Sequence, residues 1–340
     1  MSAHQTTDRV AIHESSDHRV GVVIPVYNRR TILLETLEHV LGQSYLPASL
    51  VIVDDGSTDG TAASAEKYLA LALPQFAWEV VRAPHQTAAN ARNIGLERVR
   101  SLPLVAFLDS DDHWPPDFLQ RAVASLAANP SAVAAVADRK IVGPTGPTNE
   151  QSDCRGIADN AVAWFFRHGG GVASCSLLRT ATVLAAGRWN ASLEAAEDSA
   201  LFCEIALLGE WVHVPSAPVV FHRGTGELRQ EENNLSARHA DRHLGWAQAY
   251  EQIYASVSAR VPESSHSELQ RALAARWYSA GKQLMRLGRS EEGGQCFARA
   301  LHWRPMMFQA WRQIAMCGPT VWQAAISRSD GPAVSRGRAA

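Results

Sequence analysis

The hydrophobic and polar positions between residues 19 and 142 form two alternating kinds of segment. Short apolar runs such as VGVVIPV have no polar face and predict strands buried on both sides of a sheet. Between them lie longer segments with apolar residues at helical spacing. The predicted strands are RVGVVIPVYN, SLVIVDDGSTDG, FAWEVVRA, PLVAFLDSDD and AVAAVADRKIV. The predicted helices are RRTILLETLEHVLGQ, TAASAEKYLALAL, TAANARNIGLERVRS and PPDFLQRAVASLAAN, the last with prolines in its first turn.

Strands that alternate with helices imply βαβ crossovers, and therefore an α/β fold with a mainly parallel sheet. Right-handed crossovers place the carboxyl ends of the strands along one edge, where such sheets bind ligands. Three of the predicted strands end in polar residues, at Tyr27–Asn28, Asp54–Ser57 and Asp109–Asp112. We expect these side chains to form one site, although they are far apart in the sequence.

The order of elements changes after residue 160. NAVAWFFRHGGGVASCSLLR predicts a helix, a glycine turn and a strand, and AAEDSALFCEIALLGEW predicts a helix that starts with acidic residues. WVHVPSAPVVFHRG predicts two short strands, and the pattern is helical from residue 226 to 316. The predicted organisation is a polar N-terminal tail (1–18), a main α/β domain (19–225), a smaller all-helical region (226–318) and a flexible tail (319–340).

The helical region contains one spaced pattern that resembles a tetratricopeptide repeat. The matching positions are Trp277, Gly281, Gly288, Phe297, Ala300 and Pro305. Trp311 follows Trp277 by 34 residues, which is the period of that repeat. Two interpretations stay open: a helical hairpin that seals the main domain, and a module that contacts a partner protein or a second copy of the chain.

Composition narrows the class of protein. The 340 residues hold 32 Lys and Arg against 34 Asp and Glu, so no overall positive field exists to attract nucleic acid. No apolar run reaches the roughly 18 residues of a membrane span, and the polar N-terminus lacks the apolar core of a secretory signal. The five cysteines are scattered without a CxxC pair and indicate reduced thiols. We therefore expect a cytoplasmic protein without a transmembrane segment.

The segment FLDSDDHW contains a candidate metal site. Asp109 and Asp111 are two residues apart at a strand end, so extended backbone would point both carboxylates the same way. Paired carboxylates suit Mg²⁺ or Mn²⁺, which bridge protein carboxylates and substrate phosphates. The alternative is a solvated acidic turn that caps the next helix, a role that Asp112 could take in either case. Phosphatases of the haloacid dehalogenase type also carry Asp-x-Asp after a strand, but with Thr or Val where His113 stands.

Four motifs in register are more specific than any one of them. VVIPVYN, VIVDDGSTDGT, ANARNIG and FLDSDD follow in this order, and over residues 20–225 the chain resembles the family 2 glycosyltransferases, which have the GT-A fold. The resemblance implies a nucleoside-diphosphate-sugar donor, with UDP as the expected nucleotide, and Mn²⁺ or Mg²⁺ as cofactor. The implied donor-binding residues are Pro25, Tyr27, Asn28, Asp55, Arg92, Asp109 and Ser110.

The resemblance also implies roles for three donor-binding residues. Tyr27 would lie along the nucleobase, Asp55 would accept a hydrogen bond from the base, and Arg92 would approach the diphosphate. Each position also has a structural interpretation. Tyr27 could pack at the strand end, Asp54 could cap the following turn, and Arg92 could pair with an acid on its helix.

The metal ligands and the general base are implied in the same way. Asp109 and Asp111 would bind the metal, with Asp111 the more direct ligand, and His222 would be a third ligand or else a surface histidine. The segment AAEDSALF resembles the family's Glu-Asp pair at a helix start. Asp198 is therefore the candidate base of an inverting transfer, supported by Glu197. Both acids would also stabilise the helix through its dipole.

Departures from the family pattern lie mostly on the acceptor half. Arg188, Trp189 and Asn190 replace the usual Gly, Phe and Asp, Glu204 replaces Arg, and Thr87 stands where Gly is frequent. The acceptor therefore stays open among a glycan, a lipid-linked sugar, a small molecule and a peptide or protein. Processive relatives carry Gln-x-x-Arg-Trp and transmembrane helices, whereas DRHLGW is the nearest approach here. We expect the addition of one or a few sugars.

Two other function classes are weighed against this metal-dependent, inverting, non-processive glycosyltransferase. A sugar-phosphate nucleotidyltransferase usually has a glycine-rich basic loop after its first strand, and PVYNRR lacks those glycines. A non-catalytic binding protein on the same fold is disfavoured because the Asp-x-Asp and Glu-Asp elements are both present.

Overall fold

Eight strands form one sheet in the part of the chain that the computed structural model describes, residues 17–143, 146–193, 195–222 and 242–316. The strands are β1 (Val20–Val26), β2 (Ser49–Asp54), β3 (Ala77–Arg82), β4 (Leu104–Phe107), β5 (Ala132–Gly143), β6 (Gly146–Ser152), β7 (Ser176–Arg179) and β8 (Glu210–His222). The helices are α1 (Arg30–Leu41), α2 (Thr61–Ala72), α3 (Ala88–Val99), α4 (Phe118–Ala128), α5 (Ala161–His168), α6 (Thr180–Ala185), α7 (Glu197–Ala206), α8 (Arg242–Val257), α9 (Glu263–Arg286), α10 (Ser290–Trp303) and α11 (Phe308–Met316).

The sheet has the order β3-β2-β1-β4-β7-β5-β6, and β8 pairs with β5. β1 lies between β2 and β4 and is parallel to both, while β3 is parallel to β2. β7 is antiparallel to β4 and β5, and β6 is antiparallel to β5. The predicted α/β fold with a mainly parallel sheet followed by helices is confirmed.

The carboxyl ends of β1, β2 and β4 meet at one edge of this sheet. Val26 is the register partner of Asp54, and Val23 is the partner of Phe107. The loops that follow these three strands therefore leave the sheet side by side. The three polar strand ends of the sequence lie together for this reason.

Two local predictions need correction, and two short elements are not predicted. Residues 211–222, predicted as two strands, lie in the single strand β8, and its register shifts between Ala137 and Arg139 of β5 to absorb the proline-containing middle. The helix predicted to contain Pro115 in its first turn begins only at Phe118. The carbonyl of Pro115 instead closes a turn by accepting a hydrogen bond from Phe118 N–H at 3.1 Å. The pattern does not predict β6, because GPTNEQS lacks alternating apolar residues, nor the six-residue helix α6.

Two glycines allow α3 to lie close against β1. A Cβ added at Gly95 would lie less than 3.0 Å from the side chain of Val23, and one added at Gly21 would crowd Val99 in the same way. Valine on each element fills the space left by glycine on the other. This close packing fixes the position of α3, which carries Arg92.

The C-terminal helices contribute to two apolar clusters. Tyr250 and Ile253 of α8 and Leu269 and Leu273 of α9 belong to the same core as the sheet. The second half of α9 packs with α10 and α11 in a smaller cluster that includes Trp277, and Gly281 lies against the ring of Phe297 there. The helical region thus seals the main core. Its assignment as a tetratricopeptide repeat and its contact with another protein stay predictions.

The structure does not describe residues 1–16, 223–241 and 317–340. Nearly all of the predicted N-terminal tail, all of the predicted C-terminal tail and the predicted domain boundary at residue 225 lie in these ranges. The division of the chain at residue 225 therefore stays a prediction, as does the cytoplasmic location. Across the ranges that the structure covers, no helix is long and apolar enough to cross a membrane.

Candidate functional site

The loop after β4 is held by Ser174. The backbone N–H of Asp109 donates a hydrogen bond to Ser174 Oγ at 3.1 Å, and that hydroxyl donates to the carboxylate of Asp112 at 2.6 Å. The indole N–H of Trp114 donates to the Ser174 carbonyl at 2.6 Å. Burial and then the charges of Asp111 and Asp109 raise the pKa of Asp112 well above its usual value. Asp112 therefore orders the loop from inside and does not cap α4, because the N-cap position of that helix is Asp117.

Arg92 connects the Asp-x-Asp loop to the start of α7. Its guanidinium donates to Asp109 at 2.7 Å and to Glu197 at 3.3 Å, and it is only 6% exposed. The guanidinium carbon lies 4.4 Å from the ring centre of Trp189. Burial alone would lower the pKa of Arg92, but the charges of Asp109 and Glu197 outweigh burial and raise it. Arg92 thus joins the predicted donor residues to the predicted base segment.

The second aspartate of the motif also faces an arginine. Asp111 forms an ion pair with Arg29, which follows the VYN segment at the end of β1. Each carboxylate of the motif therefore has a guanidinium partner, Arg92 for Asp109 and Arg29 for Asp111. The sequence pattern predicts a divalent ion to balance these acids and does not predict the pairing with Arg29. Two carboxylates at one strand end still fit Mg²⁺ or Mn²⁺, because these ions are commonly held by one or two carboxylates plus substrate phosphates.

His222 lies beside the Asp-x-Asp loop, as the sequence position predicts. Residues His113 and Val220 exchange two backbone hydrogen bonds, which fix the end of β8 against the loop. The Nε2 of His222 lies 3.1 Å from Nδ1 of His113. The backbone N–H of His222 donates a hydrogen bond to the carboxylate of Asp112 at 3.4 Å. Within the described ranges, no three His, Cys, Asp or Glu side chains are arranged as a complete metal site. A metal-binding role for His222 stays a prediction.

The ends of β1 and β2 form the other half of the candidate donor site. The rings of Tyr27 and His85 are stacked with 4.0 Å between their centres. Asp55 is 6% exposed, and its carboxylate accepts hydrogen bonds from Gln86 N–H at 2.9 Å and His85 Nδ1 at 3.0 Å. His85 therefore positions both Tyr27 and Asp55. Asp54 caps the turn by accepting from Ser57 N–H at 2.8 Å, the structural role considered for it.

The other predicted donor residues support the same edge through backbone contacts. Asn28 adopts a left-handed backbone conformation with φ 49°, and its N–H donates to Ser57 Oγ at 2.8 Å. Pro25 is buried in β1. The carbonyl of buried Ser110 accepts a hydrogen bond from the hydroxyl of Thr36 at 3.0 Å. These contacts connect the loops after β1, β2 and β4 to one another and to α1.

Glu197 and Asp198 are the first two residues of α7. The preceding residue Ala196 has a left-handed φ of 58°, which turns the chain sharply into the helix. The Asp198 carboxylate accepts the N–H of Ser199 at 2.6 Å. Burial, and then the charge of Glu197, raise the pKa of Asp198 to about 6. A carboxylate with this pKa is suited to accept a proton near neutral pH.

A hydrogen-bond network connects Asp198 to the C-terminal helices. The hydroxyl of Tyr250, on α8, donates to Ser199 Oγ at 2.7 Å, and its oxygen lies 3.0 Å from the carbonyl oxygen of Phe165. Gly170 N–H donates to the same Ser199 oxygen at 2.8 Å. A Cβ at Gly170 would lie less than 3.0 Å from the Ser199 backbone, so the glycine run is a tight contact with α7.

The first part of the chain is similar to proteins of a known family. The model of the family described as glycosyl transferase family 2 matches residues 21–181. This segment, which is just under half of the chain, is similar to glycosyltransferase family 2. The match agrees with the resemblance drawn from the four motifs, which all lie within or at the edge of this segment.

The curated relatives match this chain over only part of their own length. A stretch of 102 residues is 40% identical to a Bacillus subtilis (strain 168) protein provisionally named as the teichuronic acid biosynthesis glycosyltransferase TuaG, covering 30% of this chain and 39% of that protein. A stretch of 97 residues is 33% identical to glycosyltransferase GlyG of Streptococcus pneumoniae serotype 4, covering 27% of this chain and 30% of GlyG. The aligned segment thus spans well under two thirds of either relative.

Solved structures show the fold over a longer part of the chain. S. aureus TarS 1–349 in complex with UDP-GlcNAc has a TM-score of 0.63 at 18% identity, covering 91% of this chain and 92% of that one. The mannosyltransferase PcManGT from Pyrobaculum calidifontis, in complex with GDP-Man and Mn²⁺, has a TM-score of 0.58 at 19% identity, covering 92% and 86%.

Several departures from the family pattern have structural explanations. Trp189 exchanges two hydrogen bonds with the side chain of Asn93, at 2.8 and 3.0 Å, and provides the ring beneath Arg92. Arg188 pairs with Glu97. Thr87 is the N-terminal cap of α3, where its hydroxyl accepts from Asn90 N–H at 3.2 Å.

Proposed function

We propose that the chain is a metal-dependent inverting glycosyltransferase that moves a sugar from a UDP-sugar to an acceptor hydroxyl. The observation that carries the proposal is the double contact of Arg92 with Asp109 and Glu197. It joins the donor side and the base side of the candidate site across one buried guanidinium. Neighbours on the same fold hold UDP-GlcNAc and GDP-Man, which are both nucleoside-diphosphate sugars.

The donor side supplies an aromatic ring for the nucleobase, a carboxylate that accepts a hydrogen bond from the nucleobase, and two guanidinium groups for the diphosphate. Tyr27 and Asp55 bind the uracil, with His85 holding both side chains in place. Arg92 and Arg29 lie where the diphosphate needs positive charge. The Nε of Arg92 is buried with no hydrogen-bond partner among the described residues, so a diphosphate oxygen could satisfy it.

Asp109 and Asp111 would hold Mn²⁺ or Mg²⁺, with His222 as a third ligand after it leaves His113. When bound, the ion neutralises charge that develops on the leaving diphosphate. Arg29 and Arg92 would add positive charge beside the ion, since they already pair with the two carboxylates. Mn²⁺ is the expected ion if His222 binds it, because imidazole suits it better than Mg²⁺.

On the acceptor side, Asp198 takes the proton of the attacking hydroxyl. Glu197 stabilises this arrangement through Arg92 and keeps the pKa of Asp198 high through its own charge. Attack on the anomeric carbon from the face opposite the diphosphate inverts its configuration. The transfer is non-processive, and the chain acts on the acceptor once or a few times.

A nucleotidyltransferase would need a glycine-rich loop after the first strand. Here only Tyr27, Asn28 and Arg29 separate β1 from α1, and none is glycine. This short connection supports sugar transfer over nucleotidyl transfer.

The test is release of nucleoside diphosphate across a panel of donors, with Mn²⁺, with Mg²⁺ and with EDTA. We expect UDP release that requires a divalent ion and produces a glycoside of inverted configuration by NMR. Asp111→Asn should lose Mn²⁺-dependent UDP binding in calorimetry, whereas the exposed surface variant Asp159→Asn should keep it. Release of pyrophosphate from a sugar phosphate and UTP, or a retained configuration, would overturn the proposal.

A further inference from the structure

A second cavity, of about 650 Å³, lies between α5, α8 and α9, away from the strand ends that carry the candidate donor site. Its volume falls within the range of small-molecule sites, about 300–1,000 Å³. The lining residues are Phe166, Arg167, His243, Trp246, Glu268, Arg271, Ala272, Ala275, Arg276 and Ser279. We name it the helical cavity.

One face of α9 forms a large part of its wall. The lining residues of α9 follow one another at steps of three and one, which is the spacing of a single helix face. Ala272, Ala275 and Ser279 are small and leave the space open, while Arg271 and Arg276 flank it. Small residues in the middle of the face and guanidinium groups beside them are the arrangement of a binding surface.

The charge of the cavity is positive. Three arginines line it against one carboxylate, Glu268, which pairs with Arg167 at 3.0 Å. Neither Arg271 nor Arg276 forms an ion pair with any carboxylate in the described part of the chain. The guanidinium of Arg276 stacks 3.5 Å from the ring centre of Tyr250 and donates to the Phe166 carbonyl, but its buried Nε has no partner there. Guanidinium groups that line a cleft and are not paired with a carboxylate favour an oxyanion as ligand.

Aromatic groups complete the lining. Trp246 is partly exposed on α8 and lies against His243, and Phe166 is buried beneath Arg276. An indole face beside guanidinium groups suits a ligand with a sugar ring as well as an anionic group, because the CH face of a sugar packs on an aromatic ring.

The helices that line the cavity also hold the segment of the candidate base. Tyr250 of α8 and Gly170, which follows α5 closely, both donate to Ser199 Oγ, next to Asp198. We propose that the helical cavity binds an anionic saccharide, one that carries a phosphate or a carboxylate, as part of the acceptor. The acceptor role rests on the proposed function. Shared helices fix the distance between this bound segment and the reacting hydroxyl at Asp198.

The test measures, by calorimetry, the binding of three glucose-based oligomers of equal length: one that carries phosphate groups, one whose glucose units are oxidised to glucuronate, and one that is neutral. We expect one anionic oligomer, but not the neutral one, to bind, and saturating UDP with Mn²⁺ to leave that binding in place. The phosphate and carboxylate arms identify the anion. Binding of the neutral oligomer with equal affinity, displacement by UDP, or no binding of either anionic oligomer would overturn the proposal.

Variants locate the binding site. Arg271→Glu should weaken binding of the anionic oligomer at least about 10-fold, because a charged hydrogen-bond donor is replaced by a repelling carboxylate. Arg312→Glu makes the same charge change on an exposed residue of α11 outside the cavity and should change affinity less than about 2-fold. Ala275→Phe, at an exposed position, should block the cavity without disturbing the core.

Donor binding separates this proposal from the proposed function. In one outcome the UDP-sugar binds and is turned over, but the Arg271→Glu and Arg312→Glu variants bind the oligomer equally well. The cavity assignment is then wrong, while the proposed function stands. If the oligomer binds as expected but no sugar is transferred, the anion site stands and the enzymatic proposal fails.

Discussion

Asp198 is the single residue on which the proposed chemistry depends most. Replacing it with asparagine keeps the shape of the side chain and removes the proton acceptor. We expect Asp198→Asn to lower kcat by about 10²–10⁴-fold, the usual contribution of a positioned general base, while the Kd for UDP stays near that of the wild type. Steady-state kinetics and calorimetry check this, with Asp159→Asn on the surface as the control. Turnover at the wild-type rate would show that another group takes the proton.

The pH dependence of activity follows from the same carboxyl group. The pKa of Asp198 is raised to about 6 by burial and by the charge of Glu197. A base must be ionised, so kcat/KM should rise with pH and level off above that value. Glu197→Gln removes a negative charge beside Asp198, and this favours ionisation of Asp198. The rising limb of the plot of kcat/KM against pH should therefore move to lower pH.

The direction of that shift distinguishes the assignments. A limb that moves to higher pH in Glu197→Gln, or does not move, would mean that another group titrates. The absolute rate of the variant is a weaker measure, because Glu197 also contacts Arg92 at 3.3 Å.

At the scale of elements, the contact between α3 and β1 fixes Arg92 against the sheet. Gly95→Ala would place a methyl group against Val23, and overpacking of this kind costs about 1–3 kcal/mol of unfolding free energy. Chemical denaturation measures the loss. UDP binding should weaken as well if α3 moves away from the strand ends.

Gly245→Ala is the matched control for that substitution. Its added Cβ would lie 3.9 Å from Ala195, an ordinary contact, and it lies within α8. Alanine favours helix over glycine by about 1 kcal/mol, so stability should stay equal or rise. Equal destabilisation by both substitutions would contradict the packing argument.

At the scale of the whole molecule, Tyr250 connects the helical region to the candidate site. Tyr250→Phe removes the hydroxyl that contacts Ser199 and Phe165. We expect a loss of about 1–2 kcal/mol in unfolding free energy for the buried hydrogen bonds. We also expect kcat to fall with little change in donor KM, since Ser199 adjoins Asp198 rather than the donor residues.

Tyr278→Phe is the control for Tyr250→Phe. Its ring packs on Phe297, and its hydroxyl forms no hydrogen bond within the part of the chain that the structure describes. It should therefore change neither stability nor kcat. If Tyr250→Phe lowers stability but leaves kcat and its pH profile unchanged, the network is structural only.

Sequence patterns alone predict the α/β class, the strands and most helix bounds between residues 19 and 142, and the meeting of three polar strand ends. These follow from local periodicity and from the rule that parallel strands end at one edge. Four short motifs in order also predict the similarity to family 2 glycosyltransferases, which the family model matches over residues 21–181. Alternating apolar residues did not mark β6, and the prolines in β8 concealed its continuity.

Which charged side chains meet depends on how the elements pack in three dimensions. Arg29 lies beside Asp111. Arg92 joins Asp109 to Glu197, and Glu197 is 105 residues after Arg92 in the sequence. Such pairs depend on how α3, α7 and the loop after β4 pack, and no local pattern encodes that distance. The link from Tyr250 to Ser199 arises for the same reason, because folding brings α8 against α7.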